Sequence, residues 1–166
     1  MTTTPADQPD PGAFPPATLE AFLRCCAGEW MSLRSQFSLG EGSEGDDWHS
    51  SERGELVVSF VEDADGGPGG LQVTPKRDGT LQQSSRLLFG TDGSFSTGSG
   101  AEGTWTLWPD GSLELVLDGP RGTVHEKIWF TKPNLRLRST VESRADGAPG
   151  RASFSSEIRR VSRPAA

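Results

Sequence analysis

Apolar and polar residues alternate along most of the chain after Trp30. The first two alternating runs carry their apolar side chains at Met31, Leu33, Phe37 and Leu39, and at Leu56, Val58 and Phe60. A period of two predicts β-strands with one buried face. Further strands are expected over roughly 70–75, 80–89, 93–97, 102–108, 112–118, 122–131, 134–143 and 151–161. The pattern therefore predicts about ten strands.

Turn residues separate these runs. The sequence has 21 Gly and 12 Pro, and pairs such as Asp78-Gly79, Asp92-Gly93 and Asp146-Gly147 stand between neighbouring strands. Gly accepts the positive φ angles of tight turns, and short connections favour antiparallel neighbours. Because an open sheet of about ten strands leaves long edges exposed, we expect an all-β fold that closes into an antiparallel barrel.

One short helix is predicted before the strands. Thr18 is a suitable N-cap, and Gly28 stands where the helix can end. Between them, apolar residues recur with helical spacing at Leu19, Phe22, Leu23 and Cys26. A helix of about nine residues is marginal alone, so we expect its apolar stripe to pack against the barrel.

The barrel and the helix are expected to form one domain over 18–161. Residues 1–17 contain five Pro and no apolar period, which is typical of a disordered tail, and 162–166 form a short C-terminal tail. The acidic segment 40–52 is interpreted as a loop, with Trp48 as an anchor or a ligand contact.

Charge is distributed unevenly along the chain, and its total excludes some classes of function. The net charge is −7, but residues 1–120 carry 6 basic and 19 acidic residues, whereas residues 121–166 carry 10 and 4. The acidic total argues against nucleic-acid binding. The sequence lacks an apolar run long enough to cross a membrane and a secretory signal, so a cytoplasmic location is expected. Cys25 and Cys26 are adjacent and the two His are isolated, so no bound metal is expected.

The last strands hold the candidate site. The β alternation places Arg136, Arg138 and Thr140 on one face, and it places Glu157 on the polar face of the following strand. If the two strands pair, Glu157 shares a face with both arginines, although the register is not fixed by the sequence. The cluster then forms either a solvated outer face with ion pairs or the polar lining of a barrel lumen that binds a ligand. Trp129, on the preceding strand, is a candidate aromatic wall beside it.

Three sequence strings resemble the S/U-type phycobiliprotein lyases, the bilin lyases of the CpcS/CpeS/CpeU kind. They are IWFTKPNLRLRS at 128–139, ASFSSEIR at 152–159, and GEWMSLR at 28–34 after the short helix. The resemblance runs from about residue 18 to 160. It implies a lipocalin-like barrel of ten strands with a helix at one end. It also implies binding of a free linear tetrapyrrole, phycocyanobilin or phycoerythrobilin, as a transferred ligand rather than a permanent cofactor.

The resemblance further implies an activity and its residues. The bilin is attached through a thioether to a cysteine of a phycobiliprotein α or β subunit. Arg136 and Arg138 pair with bilin propionates or carbonyls, and Glu157 acts with Arg136 in catalysis as an acid or hydrogen-bond partner of the pyrrole nitrogens. Arg34 is a further binding residue, and Trp129 either stacks on a pyrrole ring or packs in the core. A non-catalytic bilin carrier and a partner subunit of a heteromeric lyase remain alternatives, and a homodimer and a heterodimer with a paralogous lyase are both left open.

Overall fold

A computed structural model of the chain describes residues 12–38 and 49–161. In chain order the elements are α1 (Leu19–Cys26), β1 (Gly28–Ser38), β2 (His49–Val61), β3 (Gly69–Arg77), β4 (Thr80–Leu81), β5 (Ser85–Phe89), β6 (Ser94–Thr97), β7 (Glu102–Leu107), β8 (Leu113–Gly119), β9 (Gly122–Lys132), β10 (Leu135–Arg144) and β11 (Arg151–Arg159). None of the helical segments within these residues is long and apolar enough to cross a membrane.

The strands form a closed antiparallel barrel. Their order is β2-β1-β11-β10-β9-β8-β7-β6-β5-β3, and pairing of β2 with β3 closes the ring, while the two-residue β4 pairs with the end of β3. The prediction of an all-β, ten-stranded, lipocalin-like barrel with one short helix is confirmed.

Two strand boundaries differ from the sequence prediction. β2 begins at His49, inside the segment 40–52 that was interpreted as a loop, because the backbone of β1 extends far enough to pair with it. The single strand expected over 80–89 is divided into β4 and β5. Between them the register against β3 shifts by one residue, from the Lys76–Leu81 pair of β4 to the Val73–Ser85 pair of β5, and Pro75 lacks the N–H that would continue the ladder. Trp48 and the rest of 39–48 lie outside the described residues.

The helix closes one end of the barrel. The Thr18 side chain accepts a hydrogen bond from the backbone N–H of Ala21 at 3.2 Å, which confirms the predicted N-cap. The predicted apolar stripe is buried, and Phe22 meets Phe130 edge-on with ring centroids 5.2 Å apart. The helix ends at Cys26, and Gly28, at a φ of 139°, is already the first residue of β1.

The segment before the helix also lies against this end of the barrel. Pro16 is buried, and the rings of Phe14 and Phe130 are 6.4 Å apart at 76°. Residues 12–17, which the sequence analysis assigned to the tail, therefore contact the domain. Residues 1–11 and 162–166 are outside the described part of the chain.

The interior of the barrel has an apolar half and a polar half. The apolar half packs side chains from β2, β3, β5, β6 and β8, including Val58, Leu71, Phe89, Phe95 and Leu115. On β1, β11 and β10 the pattern is inverted, because polar residues point inward and apolar residues point outward. This polar half contains the candidate site.

Candidate ligand-binding site

Arg136 and Glu157 form a buried ion pair inside the barrel. They are direct register partners on β10 and β11, and each side chain is only 1% exposed. Arg136 Nε donates a 2.8 Å hydrogen bond to Glu157 Oε2, and its Nη2 donates to the same oxygen. The sequence left the register open; the structure places Glu157 opposite Arg136 and Ser155 opposite Arg138.

Arg138 connects this pair to a second acid. Its Nη2 lies 3.1 Å from Glu157 Oε1, and its Nη1 lies 3.2 Å from Glu126 Oε1 on β9. Arg138 and Glu126 are 24% and 23% exposed, so this end of the array reaches solvent while the Arg136 end does not. Two guanidinium groups thus hold both oxygens of Glu157, whereas Arg138 contacts one oxygen of Glu126.

The indole ring of Trp30 packs against the guanidinium group of Arg136. The Arg136 guanidinium lies 4.7 Å from the centroid of the indole ring, and that of Arg159 lies 4.3 Å from it. The indole N–H donates to the carbonyl of Cys26 at 2.9 Å, and Arg159 donates to the carbonyls of Cys25 and Ala27. These hydrogen bonds connect the C-terminal end of α1 to Trp30, whose ring packs against Arg136, and to Arg159, which packs on the same ring.

Electrostatics keep Arg136 charged despite its burial. Burial disfavours the charged guanidinium, but the Glu157 carboxylate that accepts its hydrogen bonds outweighs burial, so the pKa of Arg136 lies above its ordinary value. Burial raises the pKa of the Cys26 thiol, which its neighbours Arg136 and Arg138 only partly oppose. Cys26 is therefore a neutral thiol packed beneath a charged pair.

A cavity of about 1030 Å³ lies above the array. Residues from both faces of β1 and β11 line it, so only part of this volume is the lumen. The inward side chains that reach it include Arg34, Glu126, Arg138, Ser155 and Glu157. Arg136 is not among the residues that line it; its guanidinium contacts Glu157 behind the cavity.

The remaining predicted site residues separate into two locations. Arg34 shares the inner face with the array; it faces Ser155 from β1 as Arg138 does from β10, and it lies 3.3 Å from the hydroxyl of Ser153. Trp129 points to the outside of the barrel, where its ring lies 6.2 Å from that of Phe154. The structure thus brings together Arg34, Arg136, Arg138 and Glu157 and leaves Trp129 on the other side of the sheet.

Glu126 is the residue that the sequence analysis missed. It alternates with Ile128 and Phe130, both buried, so the β pattern already put it on the inner face of β9. Its contact with Arg138 depends on the register of the β9–β10 hairpin, in which Glu126 faces Thr140 one step from Arg138.

The array suits a ligand that carries carboxylates and hydrogen-bond acceptors. Arg34 and Arg138 present guanidinium forks to the cavity, and such forks match planar anionic groups. Arg138 Nε is buried without a hydrogen-bond partner among the described residues, so it is a donor for which a ligand oxygen is a suitable partner.

The chain is thus a closed antiparallel barrel of the lipocalin-like class whose lumen holds charged groups beside an open cavity. The chain belongs to the CpeS-like family, as the sequence resemblance indicated: the family model described as CpeS-like protein matches residues 76–160. Chromophore lyase CpcS/CpeS 1 of Paulinella chromatophora is 43% identical over 151 residues, which are 90% of this chain and 92% of that protein.

Two further similarities agree with this assignment. Chromophore lyase CpcS/CpeS 2 of Synechococcus sp. (strain JA-3-3Ab) is 42% identical over 60 residues, 36% of this chain and 32% of that protein. The solved structure of the S-type phycobiliprotein lyase CPES from Guillardia theta aligns with a TM-score of 0.69 at 22% identity, over 87% of this chain and 94% of that one. At this identity the structural match supports the fold.

Proposed function

We propose that this protein is a phycobiliprotein chromophore lyase that binds a free linear tetrapyrrole in its barrel and attaches it through a thioether to a cysteine of a phycobiliprotein subunit. The observation that carries the proposal is the array of Arg136, Glu157, Arg138 and Glu126 below the cavity. The names of the relatives, chromophore lyases, supply the reaction class.

Binding rests on the two arginines that reach the cavity. Arg34 and Arg138 flank Ser155, so two carboxylates of one ligand can be held on either side of that strand. Hydrogen bonds to charged groups contribute roughly 1.5–3 kcal/mol each. The bilin propionates are the ligand groups that these arginines would hold.

The chemical step needs a proton donor near the pyrrole nitrogens. In the addition, the acceptor thiol sulfur bonds to the ethylidene carbon of the bilin, the S–H bond and the π bond of the exocyclic double bond break, and the other carbon of that double bond takes up one proton, so thiol and bilin combine and no group leaves. Protonation of the bilin makes the ethylidene carbon more electrophilic. Glu157 and Glu126 both reach the cavity, but Arg136 and Arg138 occupy both oxygens of Glu157. Glu126, held through one oxygen, shares the acid role that the resemblance gives to Glu157.

A transfer assay with matched variants tests this function. The protein is mixed with phycocyanobilin or phycoerythrobilin and a panel of apo α and β subunits, and a covalent, zinc-fluorescent band on a subunit is measured. We expect Glu126→Gln and Glu157→Gln to slow transfer by about 10²-fold or more, which is typical of a lost general acid. Trp129→Leu, outside the lumen, is the control and should leave the absorption spectrum of bound bilin unchanged.

The outcomes separate the alternatives. A shifted bilin spectrum without any gain over spontaneous attachment would assign a carrier role. Activity that requires co-expression with a second lyase would assign a subunit of a heteromeric enzyme. No spectral shift with either bilin would remove the proposal altogether. The cytoplasmic location stays a prediction.

A further inference from the structure

Gly54 lies near the middle of β2 and faces the inside of the barrel. It pairs with Ser32 of β1, and Ser32 pairs on its other side with Glu157 of β11. Residues that lie opposite each other on neighbouring antiparallel strands share one face of the sheet, so these three form an inward row that ends at Arg136. Gly54, Ser32 and Glu157 all line the cavity. The row therefore connects the buried acid with the cavity through its two smallest residues.

The fold does not require a glycine at this position. A Cβ on Gly54 would have no neighbouring atom within 4 Å, and the φ angle of Gly54 lies outside the left-handed region. The pairing of β1 with β2 is continuous over ten residue pairs, so Gly54 is not part of a bulge. Four other glycines of the described chain also have open space at the Cβ position, but they have positive φ angles that favour glycine; they are Gly66, Gly79, Gly100 and Gly147.

A glycine inside a strand therefore needs another explanation here. Glycine weakens a strand, because it has no side chain to pack and loses more conformational freedom on folding. Strand glycines often mark a bulge, a close contact with another backbone segment, or a place where a ligand approaches the backbone. The geometry of Gly54 excludes the first two, and the open space beside it belongs to the cavity at Glu157. Room for a ligand is the explanation that remains.

We propose that Gly54 is a specificity-determining residue that gives a flat ring of the ligand room to reach Glu157. The inference rests on the proposed function, since the ring is taken to be a pyrrole ring of the tetrapyrrole. Neighbouring strands are about 4.8 Å apart, so Gly54 and Glu157, two strands apart, are separated by about 10 Å across the sheet. A ring that lies over the backbone of Gly54 and Ser32 directs its N–H towards the carboxylate. A side chain at position 54 would occupy the same space.

Substitutions of increasing size at Gly54 test this inference. We expect Gly54→Leu to weaken the binding of phycocyanobilin and phycoerythrobilin at least about tenfold, measured from the absorption spectrum of bound bilin, because the site is then overfilled. Gly54→Ala should have an intermediate effect. Gly98→Leu is the matched control and should bind as the wild type does. Gly98 also has a φ angle outside the left-handed region, a Cβ there would lie no closer than 3.8 Å to its neighbours, and it does not line the cavity.

A combined variant tests whether this space leads to Glu157. If one ring contacts both residues, Glu157→Gln should weaken binding less in the Gly54→Leu background than in the wild type, by about threefold or more. Substitutions that act on the same contact are not additive, whereas those at independent sites are. Additive losses would overturn the inference.

Thermal unfolding separates an effect on the ligand site from an effect on the fold. Gly54→Ala should unfold at or above the temperature of the wild type, because alanine restricts the unfolded chain more than glycine does. A clear drop in that temperature would show that the fold requires the glycine and would overturn the inference, as would a Gly54→Leu variant that binds bilin as tightly as Gly98→Leu. A wild type that binds neither bilin would instead remove the proposed function, and this inference with it.

Discussion

At the scale of single residues, the charged groups of the site are of two kinds: those that contact only other protein groups and those that also face the cavity. Arg136 is 1% exposed and touches Glu157 and Trp30, whereas Arg138 and Glu157 reach the cavity. A carboxylate buried with two guanidinium groups has a fixed position, because each lost hydrogen bond leaves a charge uncompensated. Arg136 therefore fixes the position of Glu157, and Glu157 is the member of the pair that faces the cavity.

Removal of Arg136 should destabilise the fold as well as the site. We expect Arg136→Met to lower the free energy of unfolding by about 3–5 kcal/mol, since it leaves the buried Glu157 with Arg138 alone. Arg144→Met is the control, because Arg144 pairs with Asp146 on the surface and its loss should cost less than about 1 kcal/mol. Urea denaturation followed by circular dichroism measures both. Equal losses in the two variants would contradict the support role.

Sequence reasoning reached part of this arrangement. The alternation in β10 and β11 was enough to put Arg136, Arg138 and Glu157 on one face, because the side chains of a β-strand repeat every two residues. It did not show which face is the lumen. Alternation identifies two faces, but the usual assignment of apolar residues to the inside is reversed here. It also did not show that Trp30, far away in the chain, supports Arg136.

At the scale of elements, α1 closes one end of the barrel and also contacts the residues beside the ion-pair array. The carbonyls at its C-terminal end accept hydrogen bonds from Trp30 and Arg159. The helix therefore helps to position Trp30, whose ring packs against Arg136. The cap and the apolar stripe of the helix were predictable from local sequence. The contacts of its last turn were not, since Arg159 comes 132 residues after Ala27 and its position depends on closure of the barrel.

Truncation of the helix stripe should therefore disturb both stability and the site. We expect Phe22→Ala, at a fully buried ring against Phe130, to lower the free energy of unfolding by about 3–5 kcal/mol. Phe14→Ala, at a ring that is 44% exposed over the same phenylalanine, should lower it by much less. Thermal and urea unfolding give the comparison. If both variants lose the same amount, the helix is not the element that closes this end.

At the scale of the whole molecule, the uneven charge has a structural counterpart. The basic last quarter of the sequence forms β9, β10 and β11, which carry the charged groups of the lumen. The more acidic remainder supplies the apolar half of the core and the strands that close the barrel. Closure was predictable from the number of strands and their short turns. The ring order β2-β1-β11-β10 was not, because pairing of β1 with β11 joins distant parts of the chain.

The stability of the whole molecule should decline in alkaline solution, because folding buries a thiol. Burial raises the pKa of Cys26 above the ordinary value of 9.0, so the folded chain keeps a proton that the unfolded chain releases. This stabilisation is complete below pH 9 and is lost as the pH rises towards the folded pKa, at about 1.4 kcal/mol per pH unit. Urea unfolding between pH 8 and 11 measures the slope, and Cys26→Ala should flatten it more than Cys25→Ala, whose thiol is only half-buried. An unchanged slope in Cys26→Ala would assign the alkaline loss to other groups.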